Sequence, residues 1–245
     1  MENREFDKYV TYDEKNKNIK IAVAMSGGVD SSLTAALLIE QGYDVIGVTM
    51  TLSDESREEG GSTAVSDAKK VADALHIPHY VVNYHKKFKD DVIKYFISEY
   101  AKGRTPNPCV RCNNTVKFGS LLKDCLELGA DCVATGHYAR IEQDEKTGRY
   151  LLKKGLDVRK DQSYVLYTLT QDVLKHFMLP LGNYSKEKTR ELAGKMNLPV
   201  ANKPESQEIC FIPNDDYKAY LKAKAPHILK PGDIVDVNGN KLGRH

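Results

Sequence analysis

Ala24-Met-Ser-Gly-Gly-Val-Asp-Ser-Ser32, AMSGGVDSS, joins a short β-branched run, Ile19 to Met25, to a segment from Asp30 to Gln41 that carries Leu33, Leu37 and Leu38 at helical spacing. The stretch reads as strand, glycine loop, helix. Glycine has no Cβ to hold a ligand off and tolerates positive φ, so backbone N–H groups around Ser26, Gly27 and Gly28 can close on an anion. The helix that follows adds its dipole. The loop has neither the Gly-Lys-Ser/Thr ending of the common phosphate loop nor the Gly-x-Gly-x-x-Gly spacing of a dinucleotide fold. Asp30 could serve only as a helix cap, but a loop at the carboxyl end of a strand is where such sheets bind ligands.

Downstream the alternation repeats. Asp44–Leu52 reads as a strand, Ser66–Leu75 as a helix, Tyr80–Asn83 as a strand, Asp90–Ala101 and Thr115–Leu128 as helices, and Cys132–Thr135 as a strand. This order predicts an α/β fold with a doubly wound parallel sheet. After Tyr138 the period changes: Arg140–Gly155 reads as a hairpin, and Asp161 to about Leu198 as helical pieces broken by Pro180 and Gly182. From Pro231 the chain reads PGDIVDVNGNKLG, a hairpin with an Asn-Gly turn. Three segments are expected: residues 1–140 as a nucleotide-binding domain, 141–212 as a hairpin and small helical lobe, and 213–245 as a linker and the start of a β domain.

The 245 residues are 41% hydrophobic and 29% charged, a soluble globular composition. No run approaches the length of a membrane span and the N-terminus has no apolar signal core, so a cytoplasmic protein without membrane association is expected. Lys and Arg number 36 against 34 Asp and Glu, so any nucleic-acid footprint must be local. Arg104, Arg111, Lys117, Arg140, Lys153, Lys154, Arg159 and Lys160 could line such a path. Five cysteines without a signal peptide argue for reduced thiols rather than a disulfide framework. Cys125 shares a helix face with Leu121, Leu122 and Leu128, and Cys132 opens an apolar strand, so both read as core. Cys109 and Cys112 lie in Gly103-Arg-Thr-Pro-Asn-Pro-Cys-Val-Arg-Cys-Asn113, which reads as an extended loop stiffened by two prolines. Cys210 follows a polar stretch in Glu205-Ser-Gln-Glu-Ile-Cys-Phe-Ile212.

The SGGVDS loop resembles that of the ATP pyrophosphatase superfamily, with its adenine nucleotide alpha hydrolase-like fold. Together with GRTPNP-x-x-x-CN, ATGHYAR, KDQSY and ICFI, it resembles the bacterial-type tRNA-specific 2-thiouridylase over residues 26–212. The resemblance implies ATP-dependent thiolation of the wobble uridine, by adenylation of its C2 carbonyl oxygen followed by sulfur transfer. By that analogy Ala24, Met25, Ser26, Gly27, Gly28, Val29, Asp30, Ser31 and Ser32 hold ATP, with Asp30 near magnesium and with Met50 and Gly136 flanking the adenosine. It implies Cys210 as persulfide carrier and Cys112 as second catalytic cysteine. Asn107, Pro108 and Cys109 would touch the uridine, with His137, Lys160, Asp161 and Gln162 at the tRNA. The implied partners are tRNA and a sulfur donor, a cysteine desulfurase or relay protein. Many members carry Asp at position 109, and they continue into β-barrel domains that complete the tRNA grip. With cysteine there instead, Cys109, Cys112 and Cys210 could hold an iron–sulfur cluster with one open iron position, as an alternative to a disulfide and persulfide cycle. Zinc is disfavoured for want of a fourth ligand. The rival functions are another superfamily activity, a lysidine-forming ligase or amidotransferase-type synthetase, and a non-catalytic nucleotide or RNA-binding module.

Overall fold

The computed structural model describes residues 11–52, 64–205 and 209–245. Its centre is a five-stranded, all-parallel sheet of β1 (Lys20–Ala24), β2 (Asp44–Thr51), β3 (His79–Asn83), β4 (Cys132–Ala134) and β7 (Phe177–Met178), in the order β3-β2-β1-β4-β7. Strand alternation writes two faces. Ile21 and Val23 pack with α1 (Val29–Glu40) and α2 (Ala64–Ala74) on one side. Ala22, Ile46 and Val48 face the opposite layer with Phe88, Phe96, Val116 and Leu121. That layer is built by α3, residues 85–101, and α4, residues 108–127. Both are continuous helices with a π-helical stretch inside, Lys89–Ile93 in α3 and Asn113–Leu121 in α4.

The chain runs outward from β1 through β2 to β3, then returns to β4 on the other side of β1. The carboxyl ends of β1 and β4 are therefore the switch point, the crevice where doubly wound sheets bind ligands.

Three expectations need correction. The Gly103–Asn113 segment is extended only as far as Asn107. Asn107 caps a helix, its side chain accepting from the Val110 N–H at 3.2 Å, and Pro108 occupies the first turn. A proline's fixed φ suits that position, so the residue read as a loop stiffener starts α4 instead. The helix read from Asp90 begins at His85. Finally, the stretch read as a helical lobe contributes β7 to the main sheet, paired with β4 through Val133–Phe177 and Ala134–Met178. Two residues are too short for a readable period.

The hairpin β5 (Ala139–Gln143) with β6 (Tyr150–Lys154) forms as expected. So does the C-terminal pair β8 (Asp233–Val235) and β9 (Lys241–Arg244). Helix α5 (Lys186–Lys195) packs across α1, where Val29, Leu33 and Leu37 meet Leu181, Tyr184, Ala193 and Leu198. After it comes α6 (Tyr217–Lys224). No helix among the described residues is long and apolar enough to cross a membrane.

Candidate active site

The glycine loop sits at the switch point. Gly27 takes φ +71°, and a Cβ there would lie 2.5 Å from the Ala64 carbonyl oxygen, so the position admits glycine alone. Gly28 caps α1 without a side-chain bond, which leaves the first turn to Ser31 and Ser32. The Ser31 hydroxyl accepts from the Ser26 N–H at 3.1 Å, and the Ser32 hydroxyl donates to the Gly28 carbonyl at 2.8 Å. Ala24 ends β1, and the Met25 N–H continues the ladder to the Val48 carbonyl at 2.8 Å. Met25 is buried, Val29 belongs to the core between α1 and α5, and Met50 lies half-buried near the end of β2. Gly136, just past β4, closes the crevice: a Cβ on it would stand 2.9 Å from the Ser31 nitrogen. The loop of β1 and the turn after β4 thus touch, as one continuous rim.

Asp30 is held from two sides. Tyr138 donates its hydroxyl to Asp30 Oδ1 at 2.9 Å, and Lys186 Nζ reaches Oδ1 and Oδ2 at 2.7 and 2.8 Å. Burial, then the Asp30 charge, push the Tyr138 phenol well above its ordinary range, so it stays a donor. Lys186 was not found by sequence reasoning, because nothing local in Tyr184-Ser-Lys-Glu-Lys188 differs from an ordinary capped helix start.

The sulfur side is assembled from two distant segments. Cys112 is buried on α4 at 7% exposure. Cys210 is brought to it by its neighbour Phe211, whose ring packs edge-on against Phe88, Phe96 and Tyr220 at centroid distances of 5.6, 5.4 and 5.5 Å. Aromatic edge contacts of this kind add to an already large area burial, so Phe211 fixes the segment. Residues 206–208 of the Glu205–Ile212 stretch lie outside the described residues. Cys109 and Cys210 are exposed as residues. Burial pushes the Cys112 thiol up to about 11, with Lys117 opposing and the Cys210 and Cys109 sulfurs adding to the rise. Although Cys210 is exposed as a residue, loss of water around its sulfur raises that thiol too, against Lys117 and with Cys109. The three thiols therefore share one electrostatic neighbourhood, with Lys117 as its cation. The π-helical widening of α4 helps, since residues five apart, such as 112 and 117, stack on one turn.

A free thiol near 11 is protonated at neutral pH, and thiolate is the reacting form. Alkylation of Cys112 by iodoacetamide, followed by mass spectrometry, is expected to be still climbing about tenfold between pH 9 and pH 10, an interval over which an ordinary thiol gains less than about twofold. A rate that has flattened by pH 10 would contradict the burial assigned to this sulfur.

His137 ties the two halves together. Its Nδ1 lies 2.7 Å from the Thr135 hydroxyl, its ring stands 5.8 Å from Phe118, and burial, reinforced by Lys117, pushes it down to about 3. The imidazole is neutral across the physiological range. Asn113, next to Cys112, is buried with its amide donating to the Val165 carbonyl at 3.1 Å, while its Oδ1 has no partner among the described residues. Lys160 pairs with Glu205 at 2.8 Å. Asp161 and Gln162 serve their own loop: Asp161 accepts from the Gly155 N–H, and Gln162 Oε1 from the Tyr138 N–H. Asn107 and Cys109 are exposed and Pro108 is buried. Cys125 is core, as read, and Cys132 is half-buried in its strand.

Among the described residues, no three His, Cys, Asp or Glu side chains are grouped so as to hold a metal ion. Cys109, Cys112 and Cys210, as arranged here, do not form the iron–sulfur site weighed as an alternative to a disulfide and persulfide cycle, Cys112 being buried in α4 and Cys109 exposed a turn earlier. Asp30 does fit magnesium chemistry, which needs one carboxylate beside phosphate oxygens rather than a protein cage.

The family model described as tRNA methyl transferase HUP domain matches residues 19–214. The chain is 58% identical over 236 residues to tRNA-specific 2-thiouridylase MnmA 1 of Caldanaerobacter subterraneus subsp. tengcongensis, covering 93% of this chain and 65% of that protein. It is 56% identical over 234 residues to tRNA-specific 2-thiouridylase MnmA of Carboxydothermus hydrogenoformans, covering 92% and 64%. The chain thus spans just under two thirds of the length of these relatives. A 4-thiouridine synthetase–RNA complex with bound ATP has a related fold, with a TM-score of 0.52 at 18% identity over 85% of this chain and 51% of that one.

Proposed function

The chain belongs to the tRNA methyl transferase HUP domain family, and on that footing we propose that it is an ATP-dependent tRNA-uridine 2-sulfurtransferase. The observation that supports this reading is that Cys210, far along the chain, lies near enough to Cys112 to act on its thiol, in a fold that also carries a phosphate-type loop. Sulfur transfer needs two thiols and an activated oxygen, whereas methyl transfer, lysine ligation and amide synthesis need no such pair. The similarity to the two 2-thiouridylases supports the same choice.

ATP would lie with its phosphates on the Ser26–Ser32 loop and its adenosine between Met50 and Gly136. Magnesium, held at Asp30, would neutralise charge on the departing pyrophosphate. The uridine C2 oxygen attacks the α-phosphorus, releasing pyrophosphate and turning that oxygen into a leaving group. A sulfur donor, a cysteine desulfurase or relay protein, loads Cys210 as a persulfide. The terminal sulfur attacks C2, AMP leaves, and C2 is linked to Cys210 through two sulfurs. Cys112, after losing its proton, attacks Cys210 Sγ. The sulfur–sulfur bond breaks, the thiocarbonyl leaves with the outer sulfur, and a Cys112–Cys210 disulfide remains for an external thiol to reduce. Asn107, Pro108 and Cys109 would face the uridine, with His137 and the Lys160–Gln162 segment at the tRNA.

ATP–pyrophosphate exchange, measured with and without unmodified tRNA, tests the reading. Exchange that appears only with tRNA is expected, accompanied by thiolation once a persulfide donor is added. Exchange independent of tRNA would move the chain to the synthetases of the superfamily, and no exchange in either arm would leave a binding module.

A further inference from the structure

The sulfur transfer proposed above uses two thiols, and the chain brings a third to the same place. Cys109 and Cys112 stand three residues apart at the start of α4, which Asn107 caps and Pro108 opens, so they are neighbours across one helical turn. Cys210 arrives from the far segment between Ile209 and Phe211, which pack into the same apolar cluster as Val110 and Cys112. The three sulfurs feel one another's charge, and Cys112 and Cys210 both feel Lys117. They differ in their access to water. Cys112 is buried and the Cys210 sulfur has lost most of its water, whereas Cys109 is exposed. A disulfide between Cys112 and Cys210 therefore has both sulfurs withdrawn from solvent, and a thiol in solution must reach one of them to reduce it.

We propose that Cys109 is the resolving thiol of the cycle, moving the disulfide from Cys112–Cys210 to Cys109–Cys112 and so to the surface. The assignment rests on the sulfur-transfer reading of Cys112 and Cys210. Cys109 gives its proton to water and attacks Cys112 Sγ. The bond between Cys112 and Cys210 breaks, its electron pair leaves on Cys210 Sγ, and that thiolate takes up a proton. One disulfide is exchanged for another, so the protein is neither oxidised nor reduced at this step. A dithiol reductant from solution then attacks Cys109 Sγ and expels Cys112 as a thiolate, which takes up a proton. The second thiol of the reductant displaces Cys109, so the reductant ends as its own disulfide and all three cysteines end as thiols.

Positions three apart on a helix hold their Cβ atoms about 5–6 Å apart, close to the roughly 3.5–4.5 Å of a disulfide. The difference falls on a first turn, which has no preceding turn to hold it. Lys117, which opposes the desolvation of both Cys112 and Cys210, also offsets the charge on the departing Cys210 sulfur. The exchange returns Cys210 to its thiol form before any reductant has acted, ready for the next sulfur.

The test maps disulfides after a single round of thiolation. The full chain is given unmodified tRNA, ATP with magnesium and one equivalent of a protein persulfide, without reductant, then quenched in acid and blocked with N-ethylmaleimide. Trypsin cuts after Arg111 and Lys117, which puts Cys109, Cys112 and Cys210 on three different peptides. Cys109–Cys112 is expected to exceed Cys112–Cys210 about tenfold, with Cys210 carrying maleimide. In Cys109→Ser the main disulfide is expected to shift to Cys112–Cys210. Steady-state thiolation by that variant at limiting dithiothreitol falls about tenfold and recovers as dithiothreitol is raised. A residue needed only for folding or for holding the uridine would show no such rescue. Cys109→Ala is read in the same way. Cys112–Cys210 or Cys109–Cys210 as the main product of the wild-type chain overturns the assignment. Undiminished turnover in Cys109→Ser, or a loss that dithiothreitol does not relieve, also overturns it. A wild-type chain that forms neither thiouridine nor a disulfide removes the sulfur-transfer reading itself, a result distinct from thiouridine made with the disulfide left on Cys210.

Discussion

Cys210→Ser protein is expected to lose 2-thiouridine formation by roughly a thousandfold or more, because serine oxygen cannot carry the transferable sulfur. The same protein should keep ATP affinity and a cooperative unfolding transition. The loop at Ser26–Ser32 and the Cys210 segment belong to different elements, and the segment is anchored by Phe211 and Ile212, which stay in place. Cys112→Ser should fail at a different stage. With Cys210 intact the persulfide still forms and C2 is still attacked, so AMP is released for one turnover, and the tRNA remains attached to the enzyme through the unresolved disulfide. Gel shift under non-reducing conditions, reversed by dithiothreitol, is the measurement. A thiolating Cys210→Ser enzyme, or a Cys112→Ser enzyme that turns over normally, would exclude the two-cysteine scheme.

Gly27→Ala is expected to reduce ATP affinity at least tenfold. Alanine at φ +71° carries about 1–2 kcal/mol of backbone strain, and its methyl would meet the Ala64 carbonyl at 2.5 Å. A backbone oxygen cannot rotate away as a side chain can. Either the loop opens, spoiling its N–H array, or α2 shifts, disturbing Ala68, Val71 and Ala72 against the sheet. Calorimetric ATP titration beside a thermal melt distinguishes the two, since the first lowers affinity alone and the second lowers both. Wild-type affinity in this variant would mean that the loop's φ is not needed for binding.

The glycine loop, the sheet class and most helices were legible because each leaves a local trace: a period of two or 3.6, or a glycine pair between them. The helical start at Pro108 was not, since proline reads equally as a loop stiffener and as a first-turn residue, and Asn107 decides between these only through its capping bond. Strand β7 carries two residues and so has no period to read. The candidate cysteines were legible as residues, while their nearness depends on Phe211 packing against α3, a contact that no spacing announces. Lys186 was invisible as a functional group, and Lys117 was legible only as one basic residue of a candidate nucleic-acid path, for the same reason: each acquires its place beside Asp30 or the thiols from partners on other elements.

The docking of Phe211 onto Phe88 and Phe96 has a consequence for the order in which the molecule comes into being. Residues 20–134 can close four strands of the sheet before the rest of the chain has left the ribosome, whereas the sulfur pair cannot meet until Phe211 has been made and has found α3. Closing that long loop is entropically slow relative to the local pairing that precedes it. A nascent chain therefore has its glycine loop early, while Cys210 comes into the neighbourhood of Cys112 late, only when one aromatic ring seats.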